Sequence, residues 1–542
     1  ALVESGQLIR RESSFEGVII NDKYTNDILK NDEIRINQNW DIYSEIMQAI
    51  LQFDKLVKPI VLGYIKAGEM QSDEFSKVGN VDSLKVEQSN FSSRLHNLIA
   101  LLDLSLKAKA TVEYVTQLID KGEKVIIVLS NTAGSLINSE YPVGTKADTT
   151  LKAIFKKSLY STLSYTVTKW KNPAVKHTIS VEMLKESFPQ VYQFFSAIEN
   201  LIDNIKTDDP LSTIDYITYH LEKRNISVME ITGRNTFIDY NNKFINTNRK
   251  KERTESISQK FNNSTEHNCI ILNSSGSTGI SLHASEKFKD KRKRHMVLIQ
   301  PSLDINVVMQ SLGRIHRTGQ VVLPEYTFLN LPIPVAYRLQ IVLRKKLSSL
   351  NANTKGSSGK NEGTLKKVED MANFIGDQCV FQYLLANPEI NTLLDDPLKL
   401  NSDSPTTYKA FLKTSGRLAI LKIEEQEEFY DKIFDDYKGK LADYEAQGIS
   451  LDNQPIDLQA KTISKNTMFP GDPEGKILQR PAIVETVQVK TEKIDIKSEY
   501  QKLNIGSEQD IIKKSNGLLD SYRFRKEEAR KAKNERRQTK NN

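Results

Sequence analysis

The sequence of 542 residues contains only two cysteines, Cys269 and Cys379. Two are too few for a disulfide framework or a cysteine-rich zinc site, and a reducing, intracellular compartment fits this usage best. Long hydrophobic runs are also lacking. The best candidate, residues 98–106, is interrupted by Asp103 and falls short of the roughly 20 residues that a membrane helix needs. We therefore expect no membrane association.

Two further features are missing from the sequence. No signal-peptide pattern opens the chain, because Glu4, Arg10 and Arg11 interrupt the first residues, and the chain begins with Ala1 rather than Met. We therefore expect it to be a piece of a longer protein. The seven histidines are scattered, and none pairs with a cysteine at metal-binding spacing, so no metal site is predicted.

The net charge of +7 is concentrated at the C-terminal end. Residues 521–542 hold nine basic and three acidic residues, a net of +6, which leaves +1 for the rest of the chain. This tail is either a solvated end or an arm that binds phosphate groups. A second basic cluster, residues 287–294, is interpreted as a surface loop rather than a nuclear signal.

The two interpretations of the tail differ in their salt dependence. If the tail binds phosphates, deleting residues 521–542 should weaken nucleic-acid binding and flatten the slope of log affinity against log salt, because fewer counterions are released. Binding of a labelled duplex across a salt series measures this slope. An unchanged affinity and slope would leave the tail as a solvated end.

Hydrophobic patterning predicts an α/β fold with a parallel sheet. The run Lys124–Leu129 is continuously apolar after its first residue, as in a buried parallel strand. From residue 226 onward, short apolar strands alternate with helices. The strands are predicted at residues 226–231, 268–273, 296–300 and 326–331, and the helices at 253–261, 306–312 and 335–350.

Composition changes along the chain predict the domain boundaries. Residues 1–92 are a leading segment with a helix over 41–67 that breaks or kinks at Pro59. The α/β lobe is expected to occupy residues 93–350. The remaining boundaries are an insertion at 133–180, a Gly/Ser/Asn linker at 351–365, a mostly helical extension at 366–465, a β-rich segment at 466–505 and a basic tail at 506–542.

The most informative string is Gln310–Gln320, which contains the pattern QxxGRxxR. Arg314 and Arg317 are three residues apart and are predicted to share one helical face. Gly313 would let the backbone pack closely. The planar guanidinium fork suits phosphate oxygens, and an arginine directed at a γ-phosphate stabilises the charge that develops in phosphoryl transfer.

A second string, Ile270–Ala284, is predicted to form a strand, a Gly/Ser/Thr turn and the start of a helix. Free backbone N–H groups and hydroxyls in such a turn bind phosphate, from either a nucleotide or a nucleic acid. This pattern is weak by itself. It gains weight because it lies one strand before the arginine string.

These two strings together resemble motifs V and VI in the second RecA-like lobe of superfamily 2 helicases. The segment His316–Gln320 is similar to Swi/Snf-type ATPases. The string Gly313–Gln320, followed by Leu323–Phe328, resembles the C-terminal helicase region of the Strawberry notch group more closely. Glu230–Arg234 also resembles that group. The resemblance extends over about residues 1–500.

The resemblance implies a role for each motif residue. Arg317 would be the arginine finger, Arg314 would contact the γ-phosphate or order the cleft, and Gln310 would couple the nucleotide to the lobe interface. Gly279 and Gly313 would border the bound nucleotide together with the two arginines. The implied nucleic-acid contacts are Ser274, Ser275, Thr278, Thr232 and Arg234.

A phosphate-binding loop of the form GxxxxGK[ST] is absent from the sequence; Gly356–Lys360 has the wrong spacing. ATP with Mg²⁺ would therefore depend mostly on ligands from a first helicase lobe, in cis or as a separate chain. The expected partner is DNA, double- or single-stranded. The resemblance also allows a DNA methylase domain ahead of the helicase. It implies a cytoplasmic location for a bacterial or phage protein and a nuclear one for a eukaryotic protein.

Two other functions are compatible with the sequence. The chain could be a non-catalytic DNA-binding or scaffolding subunit with a helicase-like lobe. It could instead be a partner-binding module that uses the helices of residues 366–450. The intact Arg314 and Arg317 argue against the first alternative, because a degenerate lobe should lose them early.

Overall fold

The computed structural model describes residues 17–70, 85–88, 91–168, 175–273, 279–317, 319–342, 371–400, 405–446, 460–469 and 482–489. The predicted linker 351–365 and the basic tail 506–542 lie outside the described residues.

Strands and helices alternate through most of the described chain. The strands are β1 (Ile19–Tyr24), β2 (Lys85–Gln88), β3 (Lys124–Val128), β4 (Ser164–Thr168), β5 (Val175–Thr178), β6 (Val228–Ile231), β7 (Thr236–Asp239), β8 (Ile245–Asn248), β9 (Cys269–Leu272), β10 (Arg294–Leu298), β11 (Glu325–Asn330), β12 (Ala460–Phe469) and β13 (Ala482–Val489). The helices are α1 (Asp32–Met70), α2 (Phe91–Leu106), α3 (Ala108–Asp120), α4 (Gly134–Glu140), α5 (Lys152–Ser161), α6 (Val181–Ser187), α7 (Pro189–Asp203), α8 (Thr213–Glu222), α9 (Thr254–Asn263), α10 (Ile305–Leu312), α11 (335–342), α12 (Phe374–Ala386), α13 (Pro388–Leu393), α14 (Ala410–Ser415) and α15 (Ile423–Ala446).

A six-stranded parallel sheet forms the centre of the lobe, in the order β1-β11-β10-β3-β9-β6. Its middle strands β3, β9 and β10 are buried along their whole length, which explains their apolar runs at 125–128, 269–272 and 296–298. Side chains of β3 alternate between the two faces. Val125 and Ile127 pack against α3 and α8, whereas Ile126 and Val128 pack against α9 and α10. The predicted RecA-like parallel α/β fold is confirmed.

The predicted boundary at residue 92 is wrong. Strand β1 lies in the leading segment, yet it pairs in parallel with β11 and forms an edge of the sheet. Helix α1 buries Ile46, Ile50 and Phe53 in the same core as α2, α5 and α7. It also runs through Pro59 without ending there. The backbone hydrogen bonds of β1 and the apolar face of α1 therefore make this segment part of the lobe.

The predicted insertion at 133–180 is folded onto the helices of the lobe. It contains α4, α5, β4 and β5, and β2 joins the last two in a three-stranded antiparallel sheet. Leu151, Phe155 and Leu159 are fully buried in the core shared with α1 and α7. A second small element, the β7–β8 hairpin, was not predicted, because its strands TFID and INTN contain no apolar run longer than two residues.

After the lobe, the described chain is mostly helical, as predicted. Helices α12 to α15 surround a separate core that includes Phe411, Phe429 and Ile433. Within this extension, a turn around Gly416 separates α14 from α15. The β-rich segment begins at Ala460 rather than 466, with β12 and β13 paired antiparallel in a unit of their own.

None of the helices in the described residues combines the length and the apolar character that crossing a membrane requires.

Candidate functional site

Helix α10 carries the first part of the arginine string. It begins at the Asp304 N-cap, whose carboxylate accepts a hydrogen bond from the Asn306 backbone N–H at 2.9 Å. It ends at Leu312, where the Tyr326 hydroxyl donates to the Leu312 carbonyl at 2.8 Å. Residues 313–315 form a turn, so the expectation that Arg314 and Arg317 share a helical face is wrong.

The turn nevertheless brings the two guanidinium groups together. Arg317 Nη2 donates to the Ile280 carbonyl at 3.0 Å, and Arg317 Nε donates to the Gly313 carbonyl at 3.0 Å. Arg314 Nη1 approaches the same Ile280 carbonyl at 3.4 Å. Ile280 belongs to the string Ile270–Ala284, so the two predicted motifs meet at one backbone oxygen.

Within the described part of the chain, neither guanidinium forms an ion pair with a carboxylate. Arg314 Nε is buried and has no hydrogen-bond partner there. Burial lowers the pKa of Arg314, and the nearby charge of Arg317 lowers it further. Two adjacent cations without a neutralising acid form a place where an anion with several oxygens is favourable.

Backbone contacts fix this pair relative to the segment that follows the Gly/Ser turn. The Leu282 N–H donates to the Arg314 carbonyl at 2.9 Å, and the Val321 N–H donates to the Ala284 carbonyl at 2.8 Å. The Arg317 N–H donates to Gln320 Oε1 at 3.2 Å. The arginines are therefore held by several bonds to a segment more than 30 residues earlier.

The other residues predicted to serve the nucleotide site are Gly279, Gly313 and Gln310. Gly279 has a φ of +81°, a conformation that favours glycine, which agrees with a tight turn before Ile280. A Cβ added to Gly313 would lie 3.4 Å from the Met309 carbonyl oxygen, an ordinary contact, so the expected close backbone packing is not found. Gln310 is exposed on α10.

His316 lies inside the arginine string but is only 7% exposed. Burial lowers the pKa of its imidazole. This placement favours a packing role over acid–base catalysis.

The predicted nucleic-acid contacts are only partly accounted for. Ser274, Ser275 and Thr278 lie outside the described residues. Among residues 279–293, turns and a bridge at Ser285 are found instead of the helix expected after the turn. Of the five predicted nucleic-acid contacts, only Thr232 and Arg234 are among the described residues.

Arg234 is not available to a nucleic acid, which corrects the prediction. Its side chain is 3% exposed, and its guanidinium pairs with Asp215 at 2.6 Å and with Glu230 at 2.7 Å. Thr232 is half-buried, and its hydroxyl donates to Glu230 while accepting from Arg249 at 3.4 Å. The segment after β6 is thus held by a buried charge cluster, with Thr232 at its margin.

A turn after β3 lies beside this segment and had no assigned role. A Cβ added to Gly134 would lie 3.2 Å from Arg234 Cβ, so the two turns are in close contact. The Asn131 N–H donates to Gln300 Oε1 at 2.8 Å, and the Thr132 hydroxyl accepts from the Gly134 N–H at 3.4 Å. Hydroxyl and amide groups therefore gather at the carboxyl ends of the strands. In the sequence, Asn131 and Thr132 could have been recognised as candidates because they follow the buried strand β3.

An acid–histidine cluster lies at the opposite, amino-terminal end of the strands. The possible ligand atoms of Glu123, His295 and Glu325 lie within 4.8 Å of one another. Lys293, however, pairs with both carboxylates, and His295 Nδ1 is 2.8 Å from Glu123. The lysine ammonium already balances the acids, so this cluster is an ion-pair network. The sequence concealed it because its members precede or begin three different strands.

Comparison with known proteins finds a family that part of the chain resembles. Residues 212–388 match the family model described as the C-terminal domain on Strawberry notch homologues. These residues are similar to the C-terminal helicase region of Strawberry notch proteins. This range includes the arginine pair, Ile280 and strands β6, β9, β10 and β11, whereas β1 and β3 lie outside it. The resemblance predicted from the motif strings is confirmed.

Individual relatives match over short stretches. Strawberry notch homolog 1 of Gallus gallus is 38% identical over 92 residues, which is 17% of this chain and 7% of that protein. Strawberry notch homolog 2 of Homo sapiens is 32% identical over 123 residues, 22% of this chain and 9% of that protein. FORGETTER 1 of Arabidopsis thaliana is 26% identical over 157 residues, 28% of this chain and 12% of that protein.

Among solved structures, the C-terminal part of the Fun30 ATPase domain aligns with 48% of this chain and 86% of that one, at 13% identity and a TM-score of 0.19. The family match and the sequence relatives place a helicase-like lobe, similar to that of the Strawberry notch proteins, in this chain.

Proposed function

We propose that this chain supplies the arginine half of an ATP site in an ATP-dependent DNA helicase or translocase. The observation that carries the proposal is the convergence of Arg314 and Arg317 on the Ile280 carbonyl, with no carboxylate partner in the described residues. By contrast, the buried Arg234 pairs with two acids, because a buried charge is costly unless it is paired.

The two arginines would act on phosphate oxygens contributed from across a cleft. Bound ATP with Mg²⁺ supplies the phosphoryl group, and most of its ligands would belong to a first helicase lobe. Arg317 would stabilise charge that develops during transfer, because its guanidinium has donors left over after its two carbonyl bonds. Arg314 Nε, buried without a partner in the described chain, would complete the contact with the anion.

DNA would contact the carboxyl ends of the strands. Thr232, Asn131 and Thr132 place hydroxyl and amide groups there, which suit phosphate contacts without base recognition. Nucleotide-driven movement of this lobe relative to the other would then shift the strand by steps. Arg234 would act indirectly, by holding the segment that carries Thr232.

An ATPase assay of the chain alone and with a first lobe tests this proposal. The isolated chain should not turn over ATP measurably, because it has no phosphate-binding loop. Adding the first lobe, in cis or in trans, should produce turnover that DNA stimulates. Turnover by the purified chain alone would contradict the shared site. A complete protein that binds DNA without hydrolysing ATP would support the scaffolding alternative.

A further inference from the structure

Three lysines form a row on the surface between the Gly/Ser turn and β10. Lys287, Lys289 and Lys291 are exposed, whereas Phe288 is half-buried and Asp290 is buried between them. The side chains therefore alternate between solvent and protein along this segment. Each of the three side chains that point to solvent is a lysine and carries an ammonium group.

Buried anchors hold the row in place. Asp290 pairs with Lys124 at 3.0 Å inside the lobe, and its backbone N–H donates to the Asn262 carbonyl at 3.1 Å. The Lys289 N–H donates to Asn263 Oδ1 at 3.0 Å. Since the backbone is fixed from below, little backbone order has to be gained when a ligand meets the lysines.

The row carries charge that the described residues do not neutralise. None of the three lysines forms an ion pair within the described part of the chain, although Glu286 is exposed beside them. By contrast, the neighbouring Arg292 and Lys293 are each paired with acids. Unpaired ammonium groups repeated along a surface segment suit the repeated phosphates of a nucleic-acid backbone.

We propose that Lys287, Lys289 and Lys291 are a second nucleic-acid contact, which binds the phosphate backbone of DNA without regard to sequence. The inference rests on the proposed function, because it assumes the same ligand. It concerns a different surface, however. The row precedes the amino end of β10, whereas Thr232 follows the carboxyl end of β6, and a strand of five residues separates two such edges by roughly 17 Å.

The row is also connected to the arginine pair. Ser285, two residues before Lys287, forms an antiparallel bridge with Gln320. Gln320 in turn accepts a hydrogen bond from the Arg317 N–H at 3.2 Å. A phosphate backbone bound by the row would thus contact a segment that the Ser285–Gln320 bridge links to the proposed arginine finger.

The test is DNA binding by the full chain in which Lys287, Lys289 and Lys291 are each replaced by serine. Fluorescence anisotropy with a labelled duplex of arbitrary sequence, between about 50 and 200 mM salt, gives the slope of log affinity against log salt. Each lysine on a phosphate contributes about 0.9 to that slope, so we expect it to flatten by about two to three units. Affinity at the low-salt end should fall about tenfold or more.

The matched control replaces three exposed lysines elsewhere, Lys30, Lys206 and Lys422, with serine. It removes the same charge and should change the slope far less. Equal flattening in both variants would show that binding follows net charge, and the row would be overturned. An unchanged slope in the first variant would overturn it as well.

The assay contains no ATP, so its outcome is distinguishable from that of the proposed function. If the row variant keeps the wild-type slope while the ATPase assay succeeds, only the second contact is wrong. If the unaltered chain binds no DNA at any salt concentration, the row is overturned together with the DNA part of the proposed function.

Discussion

Replacing Arg317 with alanine in a complete, two-lobed protein is expected to lower ATP turnover by about 10³-fold. Binding of ATP should weaken much less, because a finger acts on charge that grows only in the transition state. Arg317→Lys should rescue poorly, since an ammonium lacks the planar fork that reaches two acceptors. Steady-state turnover and nucleotide affinity, measured on the same variants, check both statements.

The control for this prediction is Arg224→Ala. Arg224 lies at the surface and pairs with Glu113, so its loss should leave turnover close to that of the unaltered protein. Arg314→Ala should also be damaging, and the double variant Arg314→Ala/Arg317→Ala little worse than the more damaging single one, because both residues serve one site.

A purely structural Arg317 would behave differently. Its bonds to the Gly313 and Ile280 carbonyls would then be its whole contribution. Removing them would lower the melting temperature of the chain and leave the rate per folded molecule nearly intact. That pattern would refute the arginine finger.

Asp290→Asn is expected to destabilise the lobe by about 3 kcal/mol or more. The Asp290 side chain is 1% exposed, and its carboxylate lies 3.0 Å from Lys124, 2.6 Å from Arg292 and 3.5 Å from Arg294. Lys124 and Arg294 are themselves buried, and burial lowers their pKa values to about 8 and about 10, respectively. Removing the shared anion leaves buried cations uncompensated, which typically costs about 3–5 kcal/mol.

Urea unfolding at neutral pH measures this loss, and its pH dependence gives a second check. Burial alone would raise the pKa of Asp290, but hydrogen bonds from Arg292 and Lys124 outweigh it and hold that pKa well below its usual value. The native state therefore releases this proton more readily than the unfolded chain. The stabilisation is present above the ordinary carboxyl pKa of about 4 and is lost as the pH falls below it. The difference in stability between the unaltered protein and the Asp290→Asn variant should shrink accordingly in acid.

Asp208→Asn provides the comparison. Asp208 pairs with Lys109 at 2.5 Å, but its side chain is 73% exposed, so the loss should be below about 1 kcal/mol. Equal unfolding midpoints for the Asp290→Asn variant and the unaltered chain would show that the buried cluster does not hold the lobe together.

The sheet was predictable where one local pattern determined the structure. Strands β3, β9 and β10 are buried on both faces, so each contains a run of consecutive apolar residues (125–128, 269–272 and 296–298) that can be recognised without knowledge of its neighbours. Strand β1 has a mixed, partly exposed pattern, because it lies at an edge. Only its pairing with β11, far along the chain, makes it part of the lobe.

The site shows the same division between local and long-range information. The spacing of Arg314 and Arg317 indicated that they act together, although a turn rather than a helix achieves it. Arg234 looked equally free in the sequence. Its partner Asp215 lies 19 residues earlier, on α8, and no local pattern pairs the two. Its second partner, Glu230, lies only four residues earlier, but the pairing with Asp215 is one that sequence spacing does not reveal.

The pairing of β1 with β11 has a consequence for synthesis. Asn21 on β1 and Glu325 on β11 are joined by a hydrogen bond at 2.7 Å although they are 304 residues apart. A ribosome adding about 5–20 residues per second needs roughly 15–60 s to travel from one strand to the other. Throughout that time β1 has no β11 to pair with, and its backbone groups remain open to other partners. Closing this edge therefore has to wait until β11 has been synthesised, and a ribosome-bound chain that stops short of β11 should expose the edge of β1 and need protection by a chaperone.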